Sequence, residues 1–177
     1  MRLYFMRHGQ TNYNLLGLCN SDPTRDVHLT DTGRQQAIQA AEQLKTAGLD
    51  LILVSELPRT RQTAELINRY HQAEIRVHPA INDIRTGCED RPVAEYQASI
   101  ATDRLRGKVN DGESLLDYKQ RVMGFLLWLQ QQTSQSVLVV AHEETLRVVT
   151  AWFEHLPDEA MPDLHFANCQ ILNYILS

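Results

Sequence analysis

Leu3-Tyr4-Phe5-Met6-Arg7-His8-Gly9-Gln10-Thr11, almost at the first residue, is the stretch on which the fold turns. The apolar run Leu3 to Met6 reads as a short buried strand that stops abruptly at Arg7-His8-Gly9. Open parallel sheets bind ligands in the crevice beyond the carboxyl ends of their strands. The run therefore delivers a cation and an imidazole to the place where such folds do chemistry. Taken alone, Arg-His-Gly is equally a charged, solvated turn, and the rest of the chain has to decide between the two.

The chain has 177 residues, 43% of them apolar and 22% charged, as expected of one ordinary globular domain with a substantial core. A formal net charge of −5 gives no basic field to steer a nucleic acid or an anionic membrane surface. The longest apolar runs are too short to span a bilayer, and no charged-then-apolar leader is visible, so a cytoplasmic location is expected. Cys19, Cys88 and Cys169 are scattered without metal-ligand spacing and read as free thiols. A homodimer is left open.

After the first strand, residues 10–29 read as an irregular cover rich in turn formers. Thr30 reads as a helix N-cap, with Ala37, Ala41 and Leu44 as an apolar stripe and Gly48 as the stop. Leu49 to Val54 is a second buried strand. Pro58 suits the first turn of a helix reaching about Tyr70, whose inner stripe is Ala64, Ile67 and Tyr70 or His71. Ile75-Arg76-Val77 suggests a third strand. Residues 79–113 form a second cover, long enough to hold unrecognised short helices. Ser114 opens a helix whose positions Leu115, Tyr118, Val122, Phe125 and Leu129 belong to the core, with nearby Trp128. Val137 to Ala141 is another buried strand with His142 at its end, followed by a helix from about Glu144 to His155. Cys169 to Leu176 is a closing strand. This alternation predicts a single-domain α/β fold, three layers (α/β/α) around a mostly parallel sheet, spanning 1–177.

Three strand ends then deliver similar side chains: Arg7 and His8, Arg59 on the turn after the second strand, and His142. Arginine suits bidentate recognition of a tetrahedral oxyanion. Pro58-Arg59 at a helix start adds backbone N–H groups and a positive dipole end. Together these pieces read as a phosphate site.

The ordered motifs resemble the histidine phosphatase superfamily, which includes phosphoglycerate mutases and many small phosphatases. Arg7-His8-Gly9-Gln10-Thr11 matches its signature, and Asn14 the asparagine that often follows. Leu29 to Ala37, Ser55 to Ala64, Asp111-Gly112-Glu113-Ser114 and Val140-Ala141-His142 are similar to its later blocks. The resemblance implies that His8 is the nucleophile, forming a phosphohistidine, with Arg7 and Arg59 lowering its pKa by charge repulsion. It also implies that Arg7, Asn14, Arg59, His142 and the backbone N–H of Glu143 hold the phosphate oxygens. In the stretch Ile81-Asn82-Asp83-Ile84-Arg85-Thr86-Gly87, Asp83 takes the place where the family usually has a glutamate as proton donor. Aspartate is one methylene shorter, and Glu89 and Asp90 are the alternatives.

Glu143-Glu144 stands where relatives commonly carry Gly-Gly or Gly-Asn. These two carboxylates either repel a highly charged substrate, point outward, or favour a cationic or hydroxyl-rich one. Arg25 is a candidate to reach the substrate, and Arg61 faces solvent or braces the site. His28, His71, His78, His155 and His165 read as structural or surface residues.

The leading expectation is a phosphomonoesterase acting on small phosphorylated metabolites, needing no metal or organic cofactor. Alternatives are phosphoglycerate mutase-type transfer, a phosphoprotein phosphatase, and a catalytically weak phosphate-binding module. The compact size fits a phosphatase of the vitamin B12 pathway, with alpha-ribazole phosphate as substrate.

Overall fold

The computed structural model describes residues 1–176. Strands β1 (Arg2–Arg7), β2 (Leu51–Val54), β3 (Glu74–Val77), β4 (Ser136–Ala141) and β5 (Ile171–Ile175) form one sheet in the order β3-β2-β4-β1-β5. The first four run parallel, and β5 lies antiparallel along β1. Because β4 inserts between β1 and β2, the carboxyl ends of those three strands are neighbours. The mostly parallel sheet agrees with the sequence reading.

Alternation along the strands divides the core into two layers. On one face Leu3, Phe5, Leu53, Val137 and Val139 pack against α5 (Leu115–Leu129) and α6 (Glu143–Phe153). On the other, Tyr4, Met6, Ile52, Leu138 and Val140 meet α2 (Asp31–Leu44) and α3 (Pro58–Ile67). Full burial of each such side chain stabilises the fold by about 1.5–3 kcal/mol. The helices begin where the local chemistry directs. Thr30 caps α2 through the Gly33 N–H, Pro58 occupies the first turn of α3, and Ser114 and Asp117 form a reciprocal capping box on α5.

The two covers are more ordered than pattern reading allows. Within 10–29, α1 (Asn12–Leu16) is capped at Thr11 and ended by Gly17 at φ 66°. Five residues are too few to show a periodicity, so its Asn residues read as turn formers. Within 79–113 lies α4 (Val93–Ser99), two turns long and with no fully buried residue. Helix α3 stops at Ile67, and a 3-10 turn over Asn68–Tyr70 turns Tyr70 outward, 44% exposed. The inner stripe of α3 therefore ends at Ile67, and neither Tyr70 nor His71 belongs to it.

Two glycines set how closely the covers approach the first strand end. A Cβ on Gly33 would lie 2.0 Å from the Gln10 carbonyl oxygen, and one on Gly9 would lie 2.6 Å from the Gly33 oxygen. The start of α2 thus rests backbone to backbone against the loop that carries His8.

Candidate active site

The chain leaves β1 with one more ladder bond, His8 N–H donating to the Ala141 carbonyl at 3.0 Å. It then turns at Gly9, whose N–H donates to Thr63 Oγ1 at 3.0 Å. The His8 ring is 4% exposed, and its Nδ1 lies 2.7 Å from the Gly9 carbonyl oxygen. An oxygen of that kind only accepts, so Nδ1 carries the proton and Nε2 is left with a free lone pair. His8 lines a cavity of about 540 Å3.

His142 ends β4 as the N-cap residue of α6 and is 1% exposed. It sits behind the cavity lining, with its ring centroid 5.3 Å from that of His8. Its Nε2 is 3.0 Å from Ser55 Oγ, whereas Nδ1 is buried without a hydrogen-bond partner, 3.5 Å from Asp83 Oδ2. When the Ser55 hydroxyl donates to Nε2, the ring proton of neutral His142 sits on Nδ1. Burial first, then the positive charge of Arg59, holds both imidazoles well below the usual histidine range. Both rings are therefore neutral at neutral pH.

Arg59, in the first turn of α3, is 4% exposed. It donates to Asn20 Oδ1 (2.7 Å), to the Asn20 carbonyl (2.9 Å) and to Asp83 Oδ2 (3.0 Å). Arg7 donates from Nη1 to the Phe166 carbonyl at 2.6 Å, and its Nε is buried without a partner. Asp83 thus bridges Arg59 and His142. Burial, and second the negative charge of Glu144, push its carboxyl up to about 7 against the pull of Arg59.

The other expected residues divide. Asn14 lines the cavity, but its Oδ1 accepts from Thr11 N–H at 3.0 Å, so only its amide N–H groups can meet an anion. The carboxylate of Glu143 accepts from Phe166 N–H at 2.9 Å, while its backbone N–H opens the first turn of α6, where no intrahelical acceptor exists. Glu144 faces the cavity, not outward. Glu89 is bound by Ser21 N–H at 2.7 Å, and Asp90 by the Tyr13 hydroxyl at 2.7 Å and Arg25 at 3.1 Å. Those contacts tie the covers together and keep Glu89, Asp90 and Arg25 out of the cavity wall. Arg61 faces solvent beside Glu65. His165, read as peripheral, lines the cavity rim 3.8 Å from Glu143.

Several residues escaped the sequence reading. Arg121 donates from Nη1 to the carbonyls of Ala80 (2.8 Å) and Asn82 (3.0 Å), and from Nε and Nη2 to the Glu113 carboxylate (3.0 and 2.8 Å). Glu113 also accepts from Arg85 N–H at 2.9 Å. This ion pair, with Glu113 buried and Arg121 half-buried, grips the segment carrying Asp83 from both sides. Glu113 and Ser55 lay inside quoted motifs without a role, whereas Arg121 and Asn20 carried no local signal.

The chain as a whole has known relatives. The histidine phosphatase superfamily (branch 1) matches residues 3–175. The chain belongs to that superfamily. It is 32% identical over 171 residues to the adenosylcobalamin/alpha-ribazole phosphatase of Escherichia coli (strain K12), across 91% of this chain and 83% of that protein. A protein of Escherichia fergusonii named "Probable phosphoglycerate mutase GpmB" is 28% identical over 180 residues, across 97% of this chain and 83% of its own length. The alpha-ribazole phosphatase from Shigella flexneri superposes with a TM-score of 0.89 at 27% identity, covering 100% of this chain and 91% of that one. These relatives support a phosphomonoesterase, and a phosphohistidine route is consistent with the family. Among the described residues of this histidine phosphatase no helix is long and apolar enough to cross a membrane.

Proposed function

We propose that this protein hydrolyses small phosphate monoesters through a phosphohistidine on His8, without metal or organic cofactor, with Asp83 as the proton donor. The observation that carries this reading is the bare Nε2 of a neutral, buried His8 beside two arginines and a second imidazole. In the first half-reaction the Nε2 lone pair attacks phosphorus and the bond to the leaving oxygen breaks. Asp83 gives its proton to that oxygen. Arg7, Arg59, the Nδ1–H of His142 and the Glu143 backbone N–H stabilise charge on the equatorial oxygens, with the Asn14 amide as a further donor. In the second half, ionised Asp83 takes a proton from water as its oxygen attacks phosphorus. The P–N bond breaks, and neutral His8 and inorganic phosphate result.

The cavity supports a small substrate. Leu18, Val27, Val93, Tyr96, Ile100 and Leu115 line its walls, which suits an apolar, ring-bearing alcohol portion. Alpha-ribazole phosphate, the substrate class in the name of the Escherichia coli relative, is of that kind. A bisphosphate of mutase type is disfavoured by Glu143 and Glu144 at the same mouth.

Turnover of p-nitrophenyl phosphate and of a metabolite panel should persist in excess EDTA and vanish in His8→Ala. Activity lost to chelation, or kept in His8→Ala, would overturn the proposal.

A further inference from the structure

The cavity wall carries more charged side chains than the reaction above uses. Arg104, Glu143, Glu144 and Arg147 line it beside the catalytic groups. Two of these four side chains are spent on protein partners. Arg104 donates to Asp163 Oδ1 at 2.8 Å and to the Pro162 carbonyl at 2.6 Å, and the Glu143 carboxylate accepts from Phe166 N–H. The other two keep unused capacity. Arg147 donates from Nε to the Leu164 carbonyl at 2.8 Å, which fixes the side chain, but its Nη1 makes no hydrogen bond among the described residues. The Glu144 carboxylate accepts no N–H or O–H of the described residues. Its Oε1 lies 3.8 Å from Arg147 Nη1, an ion pair too long for a hydrogen bond. Glu144 and Arg147 are three residues apart on α6 and so share one face, their side chains only 23% and 14% exposed. The wall thus presents a free acceptor next to a free donor, both held in place.

We propose that Glu144 and Arg147 are specificity-determining residues that read adjacent hydroxyl groups on the alcohol portion of the substrate. This rests on the phosphatase reading of the same cavity. A hydroxyl oxygen set about 2.8 Å from each of two atoms 3.8 Å apart donates to the carboxylate and accepts from the guanidinium. The second carboxylate oxygen remains for a neighbouring hydroxyl, so the pair suits a diol better than a lone alcohol. Leu18, Val27, Tyr96 and Ile100 wall other parts of the cavity and suit an apolar ring. A phosphorylated ribose bearing an apolar ring presents all three features: an oxyanion for the basic groups, a diol and a ring. A cationic alcohol such as choline fits worse, because the Arg147 guanidinium stands beside the carboxylate and repels it.

The test is kcat/KM for a benzimidazole riboside 5′-phosphate and for its dideoxy counterpart, which lacks only the two ring hydroxyls. The wild type should prefer the diol ester by about 10–100-fold, the scale of hydrogen bonds to charged groups. In Glu144→Leu that preference should fall to about threefold or less, chiefly through a higher KM for the diol ester. Glu144→Gln keeps one acceptor without the charge and should fall in between; it carries the test where Glu144→Leu does not fold. Calorimetry of both esters on His8→Ala reads the same discrimination as a ratio of Kd values, without turnover. A preference absent from the wild type, or unchanged in both variants, would overturn the proposal. So would choline phosphate being the better substrate in a Glu144-dependent manner. A Glu144-dependent Kd ratio in a protein that hydrolyses neither ester would uphold the pair and reject the phosphatase reading. Hydrolysis of both esters at equal kcat/KM would do the reverse, so the two fail separately.

Discussion

The two halves of the site are built on different principles. The basic half (His8, Arg59 and His142) stands on three adjacent strand ends and is held by short local contacts, such as Gly9 N–H on Thr63 and Ser55 on His142. The acidic half, Asp83 and Glu144, is assembled from a loop and a helix start, and the loop owes its place to Arg121 and Glu113 on and beside α5. The strands are fixed by two packed layers of core, so the basic groups at their ends need little further support. Asp83 has no such frame: Arg59 holds its carboxyl, and the Arg121–Glu113 pair holds its loop. In the proposed reaction, chemistry that any phosphate ester requires sits on the strand ends, and protonation of the leaving group sits on the loop that Arg121 and Glu113 hold.

The largest effect should separate the halves outright. His8→Ala should lower kcat by about 10^4-fold or more on every ester, since the covalent route is gone. Asp83→Asn should cost about 10^2–10^3-fold on alkyl phosphates and far less on p-nitrophenyl phosphate. Steady-state kinetics on both substrates read this directly, and equal losses in Asp83→Asn would remove Asp83 from the acid role.

Arg121→Met tests the clamp. It should copy the leaving-group pattern of Asp83→Asn with a loss of about 10^2-fold on alkyl phosphates, the scale of a 1 Å displacement of a catalytic group. Urea unfolding should show a loss of about 3 kcal/mol, because Glu113 is left buried without its cation. Full activity in Arg121→Met would mean that the loop holds its own shape.

The smallest effect is on stability. Native Asp83 keeps its proton up to about 7, while the unfolded chain releases it near 3.8, so this group makes stability fall as pH rises through that window. The difference in Tm between Asp83→Asn and the wild type should therefore grow in the variant's favour from pH 4 to pH 8. His8 and His142 act in the opposite sense: the unfolded chain protonates them below 6.5, and the native site does not, so stability falls as pH drops. A Tm difference that stays flat between pH 4 and pH 8 would mean that folding does not raise the Asp83 carboxyl.

Strand runs such as Leu3 to Met6 and Val137 to Ala141 carry their own signal, because a strand buried on both faces must be apolar throughout. The residues following them inherit a position at a sheet end, which is why Arg7, His8 and His142 could be read from the chain alone. α1 and α4 could not, since a helix of five or seven residues is too short for its periodicity to stand out from a loop. Arg121 was equally hidden: a cation on an amphipathic helix reads as solvent-facing, and only the return of residues 79–85 across α5 turns it inward.

By itself the sequence determined the order of the strands and of the four longer helices, the apolar runs and the basic groups at the strand ends, because each is written in residues close together in the chain. Tertiary structure alone decided that Asp83 and Glu144 line one cavity while Glu89 and Asp90 are spent on the covers, and that His165 borders that cavity. Those outcomes depend on segments distant in sequence arriving within a few ångströms of one another, and local pattern carries no record of such distances.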